Sequence, residues 1–250
     1  MCGGRGTRLG GDREKPLVAV AGRSMRDRVL AARAAAERVE TTHAIASPHA
    51  PATRERLVAR REVDAGDGNL AIVDAPGDGY VSDLRYALNA GPTPPVCTVA
   101  ADLPLLDGDG VDAVCDAHAA SDADSLSVLV PAARKLALGA SADAAAPAGR
   151  RGSAERDGGA PAECNGGGEV SAERDGDERA PAGINVVGEL DEPGAEAVRV
   201  TDDVRVAVNV NYPADRRLAE SLLGGDGPER LPDGGVDWLD APEAETGGRP

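Results

Sequence analysis

Between residues 17 and 135, short apolar runs rich in Val, Ile and Leu alternate with longer stretches of helical spacing, and no other feature of the chain restricts its fold as much. Strands separated by helices pair in parallel, because the crossover returns each strand to the same end of the sheet. The strand candidates are 17–20, 43–46, 70–73, 96–101 and 126–130. Helices are expected at about 24–39, where Ser24 is a candidate cap, at 51–64, where Pro51 falls in the first turn, and at 79–90 and 109–120. The alternation predicts an α/β domain with a mostly parallel sheet.

The segment 139–180 is different in kind. It is built from Gly, Ala, Pro and charged residues with almost no large apolar side chain, so it cannot contribute to a core. SAERDG occurs at 153–158 and again at 171–176, but the duplicated unit lacks the apolar content of a stacking repeat. The expected organisation is one domain formed by 1–138 and 181–223, an acidic low-complexity insertion at 139–180 read as disordered, and an acidic tail at 224–250 read as flexible, on which Trp238 and Leu239 are able to dock. After the insertion, order resumes with a β-type run at 183–188, further runs at 197–200 and 204–210, and a helix from 213 to about 223.

A net charge of −16 and a pI near 4.6 exclude nucleic acid and anionic membrane surfaces as partners, since both repel such a chain. Of the 27 basic residues only Lys15 and Lys135 are lysines, and Phe is absent. Together with abundant Ala, Asp and Gly this composition resembles that of proteins from a high-salt cytoplasm. Self-repulsion is screened as the Debye length shrinks to about 3 Å near 1 M salt, so folding is expected to strengthen with salt. Cys2, Cys97, Cys115 and Cys164 have no ligand spacing with one another or with His43, His49 and His118, and are read as reduced thiols. The absence of a long apolar run or a leader pattern predicts a cytoplasmic protein.

Against this acidic background the sequence CGGRGTRLGG at 2–11 concentrates glycine and arginine. Glycines allow backbone N–H groups to turn toward an anion, and guanidinium groups present paired donors that suit phosphate. No Gly-Lys-Ser/Thr follows, which excludes a Walker A loop, and Leu9 stands where the dinucleotide fingerprint needs its last glycine. One of the two lysines comes directly after, in Glu14-Lys15-Pro16-Leu17. The run 96–101 ends in Asp102-Leu103-Pro104. A carboxylate at the carboxyl end of a strand is placed for Mg²⁺ beside phosphates.

The combination CGGRGTRLGG…EKPL resembles the GGxGTRxGG…KPL signature of the nucleotidyltransferases that activate sugars, molybdenum cofactor and cobinamide. The resemblance implies a three-layer Rossmann-like fold and a triphosphate held by Gly3, Gly4, Arg5, Gly6, Thr7, Arg8 and Lys15. It further implies Mg²⁺ on Asp102, and Asn211 as a second ligand or phosphate contact within Asn209-Val210-Asn211-Tyr212-Pro213-Ala214-Asp215, where Tyr212 replaces the usual Thr. EKPL, GDGYVSDL at 77–84 and PAGINVV at 181–187 are together most similar to the archaeal GTP:adenosylcobinamide-phosphate guanylyltransferases of cobalamin synthesis. On that likeness Gly79, Tyr80, Gly183 and Asn185 are expected on the nucleotide, and Asp83 is equally well read as an ordinary helix residue. The implied substrates are GTP and a corrinoid phosphate, and a homodimer is compatible with the sequence. The alternatives are a molybdenum-cofactor or sugar-phosphate nucleotidyltransferase, and a catalytically silent GTP-binding module. These families carry an apolar strand just before the glycine loop, whereas the present sequence opens inside the loop. That first strand is expected upstream of Met1, and without it two neighbouring strands lose a pairing partner.

Overall fold

Local punctuation sets most element boundaries. The computed structural model describes residues 7–10, 13–63, 69–142, 146–147, 178–191 and 194–239. Leu17, expected to begin a strand, closes a 3₁₀ turn instead, Lys15–Leu17, in which the fixed φ and missing N–H of Pro16 favour the turn. The strand is accordingly short: β1, Ala19–Val20, folds back on β2, Arg23–Ser24, through Ala21 and Gly22, both at positive φ. Ser24 then caps α1, Met25–Ala35, its hydroxyl accepting from Asp27 N, as its sequence position predicts.

β3, Thr42–Ala46, passes through α2, Pro51–Val63, into β4, Leu70–Asp74, and the two strands pair in parallel from Thr42↔Leu70 to Ala46↔Asp74. Alternate residues of β3 serve opposite faces, the two-residue strand period. Ala44 and Ala46 pack with Leu57 of α2, while Ile45 packs with Ala87 of α3, Tyr80–Ala90. That sandwich is the helix–sheet–helix layering predicted from the alternation.

The remaining elements are β5 (Val96–Val99), α4 (Gly108–Ala119), β6 (Ser125–Pro131), α5 (Ala132–Leu138), β7 (Ala146–Pro147), β8 (Glu178–Val187), β9 (Glu196–Val200), α6 (Val204–Ala207) and α7 (Pro213–Gly224). They form a second sheet in the order β5-β8-β6-β9, with β7 added to β8. β6 and β9 run parallel, and β8 runs antiparallel between β5 and β6. Met25, Leu103, Leu126, Val128, Val130 and Ile184 lie fully buried in the main core. In a chain without Phe, that core is filled by Val, Leu, Ile and Ala.

Two elements differ from the sequence reading. The helix α5 was not foreseen; it follows directly on Pro131 and ends at Gly139 in the left-handed region. The β-type run expected at 204–210 begins instead as α6, because Asp203 accepts from Arg205 N and the Arg205 side chain is drawn into a buried ion pair. Tertiary electrostatics here outweigh the strand preference of valine. Within 224–239, Trp238 bridges Thr201, Leu239 N donates to Val200 O, and the Gly234 and Gly235 carbonyls accept from Arg205, in keeping with the docking open to Trp238 and Leu239.

Among the described residues β3 pairs only with β4, and β5 only with β8. Their open edges face each other across a cavity of about 740 Å³ lined by Thr42, His43 and Ala44 on one side and Val96, Cys97 and Val99 on the other.

Candidate active site

The carboxyl ends of β3 and β5 lie on either side of a smaller cavity, about 280 Å³, lined by Lys15, Ser47, His49, Gly77, Tyr80 and Asp102 among others. Such crevices beyond strand ends are where open α/β sheets bind ligands. Lys15 projects from its 3₁₀ turn, whose Pro16 and Leu17 are buried and whose Glu14 is tied to the start of α2. Glu14 accepts from Ala52 N, Thr53 N and Thr53 Oγ1, at 2.9, 2.6 and 2.6 Å. The acid of EKPL therefore anchors the turn to the α2 N-terminus, where a carboxylate is favoured.

The Lys15 ammonium donates to Asp102 Oδ2 and to Asn211 Oδ1, each at 2.6 Å. Asp102 follows β5 and is held by its own carbonyl, which accepts from Val210 N at 2.9 Å. Asn211 is fixed by Asp215, whose carboxylate accepts from the backbone N–H of Asn211, Tyr212 and Ser141. Residues far apart in sequence, predicted separately, thus meet at one point. The other carboxylate oxygen, Asp102 Oδ1, is buried and has no hydrogen-bond partner among the described residues. An orphaned acceptor beside an amide oxygen fits a hard divalent cation such as Mg²⁺, which takes one or two carboxylates and fills its remaining positions with phosphate and water. No cluster of three or more His, Cys, Asp or Glu ligands exists among the described residues, and Mg²⁺ beside phosphates does not need one.

Gly79 caps α3 and Tyr80 begins it; both line the cavity. Tyr80 is half-exposed, and burial of the remainder, followed by the Asp102 charge, raises its phenol above the ordinary value, keeping it a neutral donor. Asp83 is not an idle helix residue, because it accepts from Gly77 N and Asp78 N and so shapes the GDG turn. Gly77, at φ +91, passes so close to Pro48 that a Cβ there would lie 2.6 Å from the proline ring.

The contacts of Gly183 and Asn185 are within the sheet. Gly183, at φ +84, accepts from Ala100 N and leaves 3.2 Å between a hypothetical Cβ and Asn209 Nδ2. Asn185 Oδ1 accepts from Val128 N at the register shift between β6 and β8. Arg8, in the 3₁₀ turn Thr7–Leu9, lies over the Tyr212 ring with its guanidinium carbon 6.0 Å from the centroid. That contact brings the loop toward Asn211 and gives the Thr-to-Tyr departure a physical role. Gly3, Gly4, Arg5 and Gly6 lie outside the described residues, as does the Thr7 side chain.

Sequence reasoning missed Lys135. Its ammonium is buried on α5 and donates to Ala207 O and Asn209 Oδ1 at 2.7 and 2.6 Å. Burial pushes it below the ordinary lysine value, while Asp102 and then Asp215 pull it back. Both lysines of an arginine-dominated chain thus serve the two asparagines of one Asn-x-Asn element. That scarcity was the signal available beforehand.

Fold and site together define an α/β domain with a cavity at its strand ends, the place where open sheets of this class bind ligands. Residues 1–160 match the MobA-like NTP transferase domain, and the chain belongs to that family. It is therefore a nucleotidyltransferase by family. Among solved structures, it is similar to a CMP:2-keto-3-deoxy-manno-octonic acid synthetase complexed with CTP, at 11% identity and TM-score 0.54 over 88% of this chain and 96% of that one. This likeness concerns the fold. A hypothetical transferase from Thermus thermophilus aligns at 20% identity and TM-score 0.45 over 75% of this chain and 63% of that chain. The molybdopterin-guanine dinucleotide biosynthesis protein A of Archaeoglobus fulgidus aligns at 14% identity and TM-score 0.47, covering 90% and 96%. Among curated proteins none matches the chain. No helix among the described residues is long and apolar enough to cross a membrane.

Proposed function

We propose that this nucleotidyltransferase moves GMP from GTP to adenosylcobinamide phosphate, giving adenosylcobinamide-GDP and pyrophosphate. The observation that carries nucleotidyl transfer is the Lys15 ammonium set between Asp102 and Asn211 beside the strand-end cavity. The choice of acceptor rests on the sequence likeness of EKPL, GDGYVSDL and PAGINVV to the cobinamide enzymes. In support of that choice, two of the segments line one cavity, through Lys15 and Pro16 and through Gly77, Gly79, Tyr80 and Asp83, and Gly183 of the third pairs with Ala100 behind it.

An oxygen of the acceptor phosphate attacks the α-phosphorus of GTP, and the bond from that phosphorus to the α,β-bridging oxygen breaks. A phosphate monoester is already largely ionised at neutral pH, its second pKa being about 6. No general base is required. What the protein must supply is in-line alignment and neutralisation of charge growing on the departing pyrophosphate. Lys15 and Arg8 supply mobile cations for that purpose, and Tyr80 a neutral hydrogen-bond donor. Asp102 and Asn211 would hold Mg²⁺, which when bound supplies further positive charge to the phosphates.

Pyrophosphate release is the test. It should be fastest with GTP among the four nucleoside triphosphates, and with cobinamide phosphate rather than molybdopterin or a sugar phosphate as acceptor. Lys15→Ala should lower kcat by roughly 10²–10³, the loss of one preorganised charge contact. Turnover with molybdopterin or a sugar phosphate alone would move the protein to one of the alternative acceptors. Tight GTP binding without pyrophosphate release under any acceptor would make it a silent binding module.

A further inference from the structure

The Lys15 ammonium stands 2.6 Å from Asp102 Oδ2 and from Asn211 Oδ1, and of the oxygens suited to a divalent ion it leaves only Asp102 Oδ1 without a hydrogen bond among the described residues. A divalent ion taking the Asp102 carboxylate together with Asn211 would have to share Asn211 Oδ1 and the one carboxylate with the ammonium. Two like charges on one carboxylate repel, so each weakens the hold of the other on the pair. The seat itself is built in advance. Val210 N holds the Asp102 carbonyl, Asp215 holds the backbone of Asn211, and Lys135 holds Asn209 two residues earlier.

Lys15 can leave this seat without unfolding anything. Its backbone is anchored by the buried Pro16 and Leu17 and by the Glu14 contacts to α2. Its side chain is a flexible four-carbon stem bearing a point charge, and it lines the cavity into which it would swing.

We propose that Lys15 is a lock on the cation seat: the ammonium and the divalent ion are alternative occupants of the Asp102–Asn211 pair, and the arriving triphosphate opens the seat by drawing Lys15 onto its own oxygens. The inference rests on the nucleotidyltransferase reading and deepens it, since it orders the binding events. Triphosphate and metal bind with positive coupling, and linkage makes the coupling equal in both directions.

Mn²⁺ alone, titrated into the full chain and followed by electron paramagnetic resonance, tests the lock. Molar KCl suppresses diffuse binding to the acidic surface, and thermal melts establish that each variant is folded. Without nucleotide, Lys15→Met should bind one Mn²⁺ at least tenfold more tightly than the parent chain, Lys15→Arg should stay as weak as the parent, and Asp102→Asn added to Lys15→Met should abolish the gain. A GTP analogue with a methylene α,β-bridge should tighten Mn²⁺ binding to the parent chain. Equal affinity in the parent and Lys15→Met chains, with binding still lost on Asp102→Asn, overturns the lock and leaves the metal seat standing. Binding indifferent to Asp102 in every variant overturns both.

Discussion

Arg205 offers the sharpest test of how the site is supported. Its side chain is 1% exposed and carries contacts from three directions. Nε and Nη2 donate to Asp203, with 2.7 Å from Nη2; Nη1 donates to both Asp107 oxygens at 2.9 Å; and the Gly234 and Gly235 carbonyls each accept at 2.7 Å. The two carboxylates differ in what they contribute, because the Asp203 side chain is 3% exposed and that of Asp107 is 45% exposed. The half-open pair is worth about 0–1 kcal/mol. Removing the partner of the buried one leaves an uncompensated charge, which costs roughly 3–5 kcal/mol. Arg205→Leu is therefore expected to lose about 3–5 kcal/mol, dominated by Asp203, and to lower Tm by roughly 6–20 °C at this chain length. Adding Asp203→Asn should recover part of the loss while keeping the α6 cap, since asparagine caps as well as aspartate. Urea unfolding at fixed molar KCl measures this without altering screening, and an unchanged m-value licenses the comparison. A loss below about 1 kcal/mol, the range of an exposed pair, or a double variant as unstable as the sum of the two singles, would refute the buried-charge argument.

Other expectations are independent of Arg205. Cys97 and Cys115 meet across the larger cavity; the hydrogen bond from Cys97 lowers the Cys115 thiol, while the same contact and burial push Cys97 up. Iodoacetamide mapped by mass spectrometry should label Cys115 before Cys97, and Cys97→Ala should slow labelling of Cys115. Asp27 is held below the ordinary carboxylate value because hydrogen bonds from Ser24 and Arg26 outweigh its desolvation, the largest individual influence. A depressed carboxylate stabilises the fold above the ordinary value and loses that contribution as pH falls through its folded value. Asp27→Asn should flatten the acid limb of a stability–pH curve and leave the alkaline limb alone. Backbone amides on the open edges of β3 and β5 should exchange hydrogen faster than those of β6 and β8, which are paired on both sides; equal protection would contradict the open edges.

The sequence was most informative where the physics is local. Ser24 as a cap, Pro51 in a first turn, and helix and strand periods through β3, α2, β4, α3, β5, α4 and β6 follow from short-range sterics and apolar spacing, so they were legible. Lys15, Asp102 and Asn211 were legible as well, the first as a rare lysine beside a glycine loop and the second as an acid ending an apolar run. The run 204–210 was misread because its valines favour a strand in isolation, whereas the Arg205–Asp203 pair that winds α6 closes through Asp107 and residues 234–235. Lys135 was missed because burial, and not any motif, brings its ammonium onto Asn209.

By itself the sequence determined the layered α/β class and offered the candidate residues of a phosphate site, since backbone sterics and periodicity act over a few residues. Only the tertiary structure decided which of them meet. The antiparallel course of β8 between β5 and β6, and the 2.6 Å contacts joining residues 15, 102 and 211, are long-range facts that no local pattern encodes. Electrostatic contacts of that kind fall off within a few ångströms, so a separation of 87 or 196 residues along the chain carries no trace of them.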